Sequence, residues 1–274
     1  THQAGADDIE LAKQIPALPI IMGGHEHDMR FEKAGNVFIT KAHANAKTAY
    51  IIKLLIDKKN KTVKVDPVLK QLDSTVALDN STNAVVEKWM KRANDNYASA
   101  GFDPAKIVIA KGDSLEGREI YTRVTSTNLT ELVVNAMLAA CPQADVAIMN
   151  AGSIRLDDIL YPPISQYDFL RTLPFGGATR EVDMKGALLA QILEKGKENN
   201  GEGGYLQYAP AIQVDTLKTY RVALTDFLLA GGEKNLGFLT VNNSLITKVY
   251  PFDVSATDPR SDIRLAVIRY LENR

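Results

Sequence analysis

Residues 23–28, GGHEHD, contain two of the four histidines of the chain. They directly follow the apolar run ALPIIM at 17–22, which predicts a short buried strand that the two glycines end in a sharp loop. Imidazole is the commonest neutral metal ligand, and alternate residues of an extended stretch share a face. The pattern therefore favours metal binding by His25 and His27 over the alternative, two exposed loop histidines.

A third histidine supports this interpretation. His2 lies in the pair Thr1-His2, one predicted helix before the apolar strand. Three imidazoles are enough to hold one zinc ion with a coordination position left open. The remaining histidine, His43, lies in the polar stretch KAHANAK, and we interpret it as structural.

Composition argues against several classes of protein. The chain has 274 residues, 32 of them basic and 33 acidic, so its net charge of −1 predicts neither a nucleic acid polymer nor a membrane surface as partner. No apolar stretch approaches the roughly 18 residues of a membrane helix. The N-terminal residues lack the features of a signal peptide and read as the middle of a domain. Cys141 is the single cysteine and is predicted to be a small buried residue.

The pattern along the chain predicts three parts. Residues 1–65 are expected to contain a helix, the strand before the histidines, strands at 37–40 and 50–56, and a hairpin turn at 57–62. Residues 66–102 are interpreted as a polar linker and a helix. The apolar stripe of that helix predicts a bridge packed between two domains, and its residues are Val85, Val86, Trp89, Met90, Ala93 and Tyr97.

Residues 103–274 predict a mixed α and β domain of about 170 residues. Strands are expected at 106–110, 145–149 and 219–224. Helices are expected from a capping box at 128–131, from 165–168, over 184–199, and after 258–262. There is no internal repeat and no low-complexity segment.

Loops of this second domain carry candidate ligand-binding residues. In NAGSIR, 150–155, Asn150 can turn the loop or contact a base edge, and Arg155 can bind phosphate or form a surface salt bridge. Phe175, between a proline and two glycines, can offer a free aromatic face. Phe227 is either a second such ring or a core residue. Two rings around one base would stabilise binding by about 1–3 kcal/mol per contact.

The motifs together resemble those of the 5′-nucleotidase / UDP-sugar hydrolase family, calcineurin-like metallophosphoesterases with a C-terminal nucleotide-binding domain. Thr1-His2 and GGHEHD resemble the last two metal-binding motifs of that family. TRVTSTNLTELV (122–133), NAGSIR, LPFGG (173–177) and DFLLAGGEKNLGF (226–238) resemble, in the same order, segments of its C-terminal domain. The earlier motifs D-x-H, G-D-x-x-D/N and G-N-H-E/D are absent, so the chain looks like the C-terminal portion of such a protein.

The resemblance implies an α+β (mixed α/β) fold. Its parts would be the remnant of an α/β/β/α metallophosphoesterase sandwich, a linker helix, and a 5′-nucleotidase C-terminal-type α+β domain. His2, His25 and His27 would be metal ligands, and the intact enzyme would hold two divalent ions such as Zn or Mn. The residues implied to bind the nucleotide or nucleoside are Arg123, Asn150, Arg155, Phe175, Gly177, Phe227 and Glu233.

Three departures from the family pattern concern substrate preference. Ala151 and Ser153 stand where glycines are usual, and Glu233 replaces an aspartate expected to bind the ribose diol. The catalytic residues would lie upstream, so these residues alone are expected to bind nucleotides and hydrolyse them little. The N-terminal half of the same protein is an expected partner, and the expected location is periplasmic, secreted or at the cell surface. The alternative function is a nucleotide-binding module without catalysis.

Overall fold

The chain folds into two compact units, unit 1 (Thr1–Val86) and unit 2 (Glu87–Arg274). The computed structural model describes residues 1–255 and 257–274. Helices and strands occur in both units, which confirms the mixed α and β class. Among the described residues, no helix is both long and apolar enough to cross a lipid bilayer.

Unit 1 is built around a small sheet that carries the histidine loop. Its elements are α1 (Gly5–Gln14), β1 (Ile20–Gly23), β2 (Arg30–Ala34), β3 (Val37–Lys41), β4 (Thr48–Asp57) and β5 (Thr62–Gln71). Strand β3 is central, parallel to β1 and antiparallel to β2. Helix α1 packs on this sheet through Ala12, which is buried with Ile21, Val37 and Ile39. The predicted strand before the histidines is therefore confirmed, although Met22 is 63% exposed and the strand is buried mainly at Ile21.

Strands β4 and β5 form a long antiparallel hairpin around the predicted turn at 57–62. Strand β4 is mostly apolar, yet its Ile51 and Ile56 are 62% and 65% exposed. Helix α2 (Asn80–Ser99), in which the boundary between the units falls, has no buried residue. Val85 and Trp89 of its apolar stripe are exposed in this chain, and the bridging role of the helix stays a prediction. The Tyr97 end of the helix packs against a buried cluster, formed by Phe102, Leu170, Leu265 and Ile268.

Unit 2 alternates short strands with helices. Its elements are β6 (Ile107–Ile109), β7 (Leu115–Glu116), α3 (Glu119–Thr122), α4 (Asn128–Ala140), β8 (Val146–Asn150), β9 (Ile159–Leu160), β10 (Ile164–Ser165), α5 (Gln166–Thr172), β11 (Thr179–Lys185), α6 (Gly186–Glu198), β12 (Leu206–Ala209), β13 (Thr219–Thr225), α7 (Asp226–Leu229), β14 (Ile246–Val249) and α8 (Ile263–Glu272), with 3-10 turns at Ala151–Ser153 and Pro259–Ser261.

A sheet of order β12-β8-β13-β11-β14 forms the centre of unit 2. Successive residues of a strand point to opposite faces, and both faces of this sheet are covered. Ala147 and Met149 of β8 share one buried cluster with residues of α4 and α8, while Val146 and Ile148 share another with residues of α6. All five residues of β8 are buried, which explains why this strand could be predicted from its apolar run.

Helix ends follow the expected capping chemistry with small shifts. The capping box of α4 uses Thr127 and Thr130, one residue earlier than predicted. Helix α5 begins after Ser165, as predicted, and the Ser165 amide donates to Asp168 Oδ2 at 2.8 Å. Met184 belongs to β11 rather than to the following helix. Cys141 is buried, as predicted.

Candidate functional site

A cavity of about 730 Å³ lies at one edge of the sheet of unit 2. Strands β8 and β13 are parallel, so their carboxyl ends meet at this edge, and antiparallel β11 begins there opposite Thr225. Loops leaving these strand ends surround a single space. Its lining residues are Asn150, Gly152, Ser153, Phe175, Gly176, Gly177, Thr225, Asp226, Phe227, Ala230 and Glu233. Five of the seven predicted ligand-binding residues are therefore brought together.

Both predicted aromatic rings line the cavity and remain accessible. Phe175 is 73% exposed and Phe227 is 47% exposed, so neither is a core residue. The loop after Phe175 turns through Gly176 and Gly177, with φ of 61° and 92°, in the left-handed region that favours glycine. A Cβ on Gly177 would lie 2.7 Å from Asp226 Oδ1. The Phe175 loop thus needs glycine to lie against α7.

Asp226 ties the two ring-bearing segments together. Its Oδ2 accepts a hydrogen bond of 3.1 Å from the Ala178 amide, and its Oδ1 accepts one of 2.8 Å from the Phe227 amide. The ring of Phe227 in turn lies on the backbone of Gly232, where a Cβ would approach its Cε2 to 2.5 Å. The sequence reasoning missed Asp226, although its position directly before Phe227 at the start of a helix was a usable signal.

The polar wall of the cavity is a connected set of side chains. Asn150 Nδ2 donates to Glu233 Oε2 at 2.9 Å, and Ser153 Oγ donates to Asn150 Oδ1 at 2.7 Å. Ser153, which was noted only as a departure from glycine, therefore orients the amide of Asn150. Among the described lining residues, Asp226 and Glu233 are the charged ones, so the wall is acidic.

The three residues from Glu233 to Asn235 are anchored to a neighbouring loop. Buried Asn199 donates to the Lys234 carbonyl at 3.0 Å and accepts from Asn235 Nδ2 at 2.8 Å. Across the same loop, a Cβ on Gly204 would lie 2.9 Å from Glu233 Oε1. These contacts fix where the longer Glu233 side chain enters the cavity.

Arg123 and Arg155 do not line the cavity; they meet at one carboxylate of α3. Glu119 Oε1 lies 2.5 Å from Arg123 Nη2 and 3.9 Å from Arg155 Nη1. Both guanidinium groups face this carboxylate, and Arg123 Nε is buried without a hydrogen-bond partner. This pair is suited to an anion such as phosphate.

The backbone turn that carries Arg123 is hydrogen-bonded to the buried side-chain amide of Gln207. Gln207 is 3% exposed, and its Nε2 donates to the carbonyls of Thr122 and Thr125 at 2.6 and 2.7 Å. The Gly201 amide donates to the Arg123 carbonyl at 2.8 Å. The backbone on both sides of Arg123 is thereby fixed.

In unit 1, the loop after β1 brings His25 beside His2. The two ring centroids are 5.1 Å apart with planes at 80°. His25 and His27 have φ of 92° and 66°, which non-glycine residues rarely adopt and which is found at functional sites when surrounding contacts impose it. His43, by contrast, bonds locally to Thr48 Oγ1 at 3.0 Å through its Nδ1.

A buried ion cluster lies directly behind this loop. Lys41 of β3 is 1% exposed, and its Nζ lies 2.8 Å from Asp8 Oδ2 and 2.6 Å from Glu26 Oε2. Burial alone would lower the pKa of Lys41, but hydrogen bonds to Asp8 and Glu26 raise it above its ordinary value. Burial likewise opposes ionisation of the two carboxyls, and the bonds from Lys41 nevertheless lower the pKa of each.

The donor set of the loop fits a divalent ion in part. Imidazole nitrogens suit zinc and related metals, and the His2 and His25 rings are already in contact. His2 and His25 are exposed and His27 is partly so. The carboxylates of the buried cluster, Asp8 and Glu26, form ion pairs with Lys41, so neither is available to bridge two ions.

Part of unit 2 matches a known protein family. Residues 108–218 match the family described as 5′-nucleotidase, C-terminal domain. This stretch includes Asn150, Arg155 and Phe175 and ends before Phe227 and Glu233.

Similar proteins cover most of the chain. The trifunctional nucleotide phosphoesterase protein YfkN of Bacillus subtilis is 26% identical, over 85% of this chain and 18% of its own length. Protein UshA of Escherichia coli is 24% identical, over 93% of this chain and 57% of its own length. The 5′-nucleotidase precursor from Thermus thermophilus has the same fold, with a TM-score of 0.69 at 18% identity over 99% of this chain and 60% of that one. The chain thus spans less than two thirds of each relative.

Proposed function

We propose, from the match of residues 108–218 to the 5′-nucleotidase C-terminal domain family, that this chain recognises the nucleoside part of a nucleotide and supplies part of the metal site of a phosphoric ester hydrolase. The observation that carries the proposal is the cavity of unit 2. Two accessible aromatic rings and a polar wall of Asn150 and Glu233 line the same space. A nucleoside presents the matching chemistry, a flat base and a sugar with two hydroxyls.

The base lies between Phe175 and Phe227 in this proposal. Stacking on an aromatic face depends little on which base is bound, and it contributes about 1–3 kcal/mol per base. The cavity volume of about 730 Å³ is within the range of small-molecule sites. Both rings are exposed, so a bound base would remove apolar surface from water on either face.

The sugar lies against Glu233. A carboxylate accepts hydrogen bonds from two neighbouring hydroxyls, and Glu233 Oε2 already accepts one from Asn150. The contact between Asn150 and Glu233 therefore fixes which lone pairs remain for a ribose diol.

The phosphate is assigned to Arg123 and Arg155. Guanidinium groups bind phosphate oxygens through two donors, and the acidic cavity wall favours a neutral nucleoside there over a phosphate. In this assignment Glu119 holds the two arginines until a phosphate competes for them.

His2, His25 and His27 are the proposed metal ligands of this chain. A divalent ion bound there would activate water and stabilise negative charge on the phosphoryl group. The proposed complete site holds two ions and needs catalytic residues from upstream sequence, supplied by an N-terminal half. The exposed apolar residues of β4 and β5 support such a partner, since contiguous apolar surface of this kind is usually covered. We further propose a periplasmic, secreted or cell-surface location.

A nucleotide-binding module without catalysis is the second candidate. The observation in its favour is that every lining residue of the cavity belongs to unit 2, so binding needs no residue of unit 1. The two candidates share the cavity and differ in the histidine loop.

Calorimetric titration of the 274-residue chain with adenosine and with uridine tests the cavity. Phe175→Ala should lower the affinity for adenosine and for uridine by roughly tenfold, because a stacking contact with the base is lost. Tyr161→Ala is the matched control, because Tyr161 is similarly exposed at 68% and does not line the cavity. Equal affinities for the two variants would contradict the assignment.

Phosphate release from a nucleoside monophosphate separates the two candidates. The 274 residues alone should release no phosphate above a control containing only the metal salt, while addition of the N-terminal half of the natural protein should restore turnover. Absence of turnover in the combined sample would favour the binding module.

A further inference from the structure

Lys41 is a charged side chain that is almost completely buried. It is the largest fully buried side chain of unit 1. Its Nζ donates to the Gln3 carbonyl at 2.7 Å and to Glu26 Oε2 at 2.6 Å, and it forms an ion pair with Asp8 Oδ2 at 2.8 Å. These partners belong to three segments, namely the residues beside His2, helix α1 and the histidine loop. One side chain therefore joins the segments that carry the three predicted ligands.

Glu26 is the point at which this cluster reaches the loop. It lies between His25 and His27, the two residues with left-handed φ. Both of its oxygens are engaged, Oε2 by Lys41 and Oε1 by the Gly5 amide at 2.5 Å. Left-handed backbone at non-glycine residues persists only where other contacts impose it. The bonds to Glu26 are side-chain contacts that can do so, and the Ala44 amide also donates to the His27 carbonyl at 2.8 Å.

We propose that Lys41 is a positioning residue for the histidine loop, holding Glu26 against α1 so that His25 lies beside His2 for a divalent ion. The metal part of this proposal rests on the proposed function. The contacts of Lys41 with Glu26 and Asp8, which we call the clamp, lie within unit 1 and do not depend on a bound metal. Asp8, which is 0% exposed, completes the cluster by fixing Lys41 from the side of α1.

A purely structural role predicts something different. If the cluster only secured α1 to the sheet, the loss of Glu26 would leave Lys41 paired with Asp8 and would not change the loop. If Lys41 acts through Glu26, the loop conformation and its affinity for metal depend on that carboxylate while the α1–β3 core does not. The discriminating variant is therefore Glu26→Gln, whose amide still accepts from Gly5 but turns N–H groups toward Lys41.

The experiment compares three forms of the full chain by hydrogen exchange and by zinc calorimetry. They are the wild type, Glu26→Gln, and Asp28→Asn, which removes an exposed carboxylate from the same loop. Glu26→Gln should speed exchange of the amides at 24–28 by about tenfold and weaken zinc binding by about 10–100-fold, as loss of an orienting partner does. The Ile39 amide of β3 should keep its protection, and Asp28→Asn should match the wild type.

A second variant removes the charges without leaving one of them unpaired. Asp8→Asn, Glu26→Gln and Lys41→Met combined should fold, since neutral replacement of a buried ion cluster is tolerated, and should show the same faster loop exchange and weaker zinc binding. Wild-type loop protection in both Glu26→Gln and this triple variant would overturn the clamp. A wild-type chain that bound no zinc would overturn the metal part and count against the proposed function, while the exchange data would still decide the clamp.

Discussion

Asn150 and Glu233, 83 positions apart in sequence, are joined by a hydrogen bond of 2.9 Å from the amide nitrogen to the carboxylate. This bond connects the end of β8 with the segment after α7 across the mouth of the cavity. It leaves one oxygen of Glu233 bonded to the Lys234 amide and the other shared with Asn150. The carboxylate is thus oriented before any ligand arrives.

Glu233→Gln should therefore lower the affinity for ribonucleosides more than the affinity for 2′,3′-dideoxynucleosides. Hydrogen bonds to a charged group contribute about 1.5–3 kcal/mol, so the loss for adenosine should be roughly tenfold or more. The dideoxy analogue lacks the diol and should bind the variant and the wild type equally. Calorimetric titrations of both ligands measure the difference, and an equal loss for the two ligands would show that Glu233 does not contact the sugar.

Gly232→Ala should disturb the Phe227 ring without disturbing the fold. A Cβ at this position would lie 2.5 Å from Phe227 Cε2, so the ring must move. Nucleoside affinity should fall by several-fold, while the thermal midpoint stays close to that of the wild type. Gly237→Ala is the control, because no atom lies within 4 Å of its added Cβ. Unchanged affinity in Gly232→Ala would place the ligand away from Phe227.

Arg155→Ala should distinguish nucleotides from nucleosides. We expect the affinity for a nucleoside monophosphate to fall by about tenfold, since a charged hydrogen bond is lost, and the affinity for the nucleoside to stay unchanged. Arg171→Ala is a matched control, because the two side chains are 44% and 40% exposed and Arg171 contacts only the nearby Asp168 in its ion pair. A parallel loss for both ligands would mean that Arg155 acts on the shape of the cavity.

Cys141 should resist thiol reagents in the folded chain and affect stability only in alkali. Burial, with a further contribution from Glu181, raises the pKa of the thiol from 9.0 to about 12. Between these values the unfolded chain releases the proton and the folded chain keeps it, so the free energy of unfolding falls as pH rises. Urea titrations from pH 8 to pH 11 should show a shallower decline for Cys141→Ala than for the wild type. Rapid labelling of the native thiol at pH 8 would contradict this.

Much of the fold was predictable because its signals are local. Residues 146–149 of β8 read as an apolar run, and the turn at 57–62 reads as polar residues after the apolar strand β4. The environment of Lys41 was not predicted, since lysine is almost never fully buried. A signal did exist: Val37, Ile39 and Lys41 alternate along β3, which assigns all three to the buried face.

The sequence predicted which residues contribute to the site better than it predicted which of them share one cavity. The motifs identified Phe175, Phe227 and Glu233, and the structure brings them to one cavity. The separation of Arg123 and Arg155 from that cavity depends on Glu119, and no local pattern indicates which carboxylate pairs with an arginine 36 residues further along the chain. Such pairing is decided by the tertiary fold.

The hairpin of β4 and β5 has two outer strand edges with different chemistry. Proline lacks an N–H and within a strand must direct its nitrogen away from the partner strand, so Pro67 removes a donor from the outer edge of β5. The outer edge of β4, from Thr48 to Asp57, contains no proline and keeps its full set of amides and carbonyls. A further strand, whether from an upstream segment or from another molecule in a concentrated solution, is therefore directed to the β4 side of the hairpin.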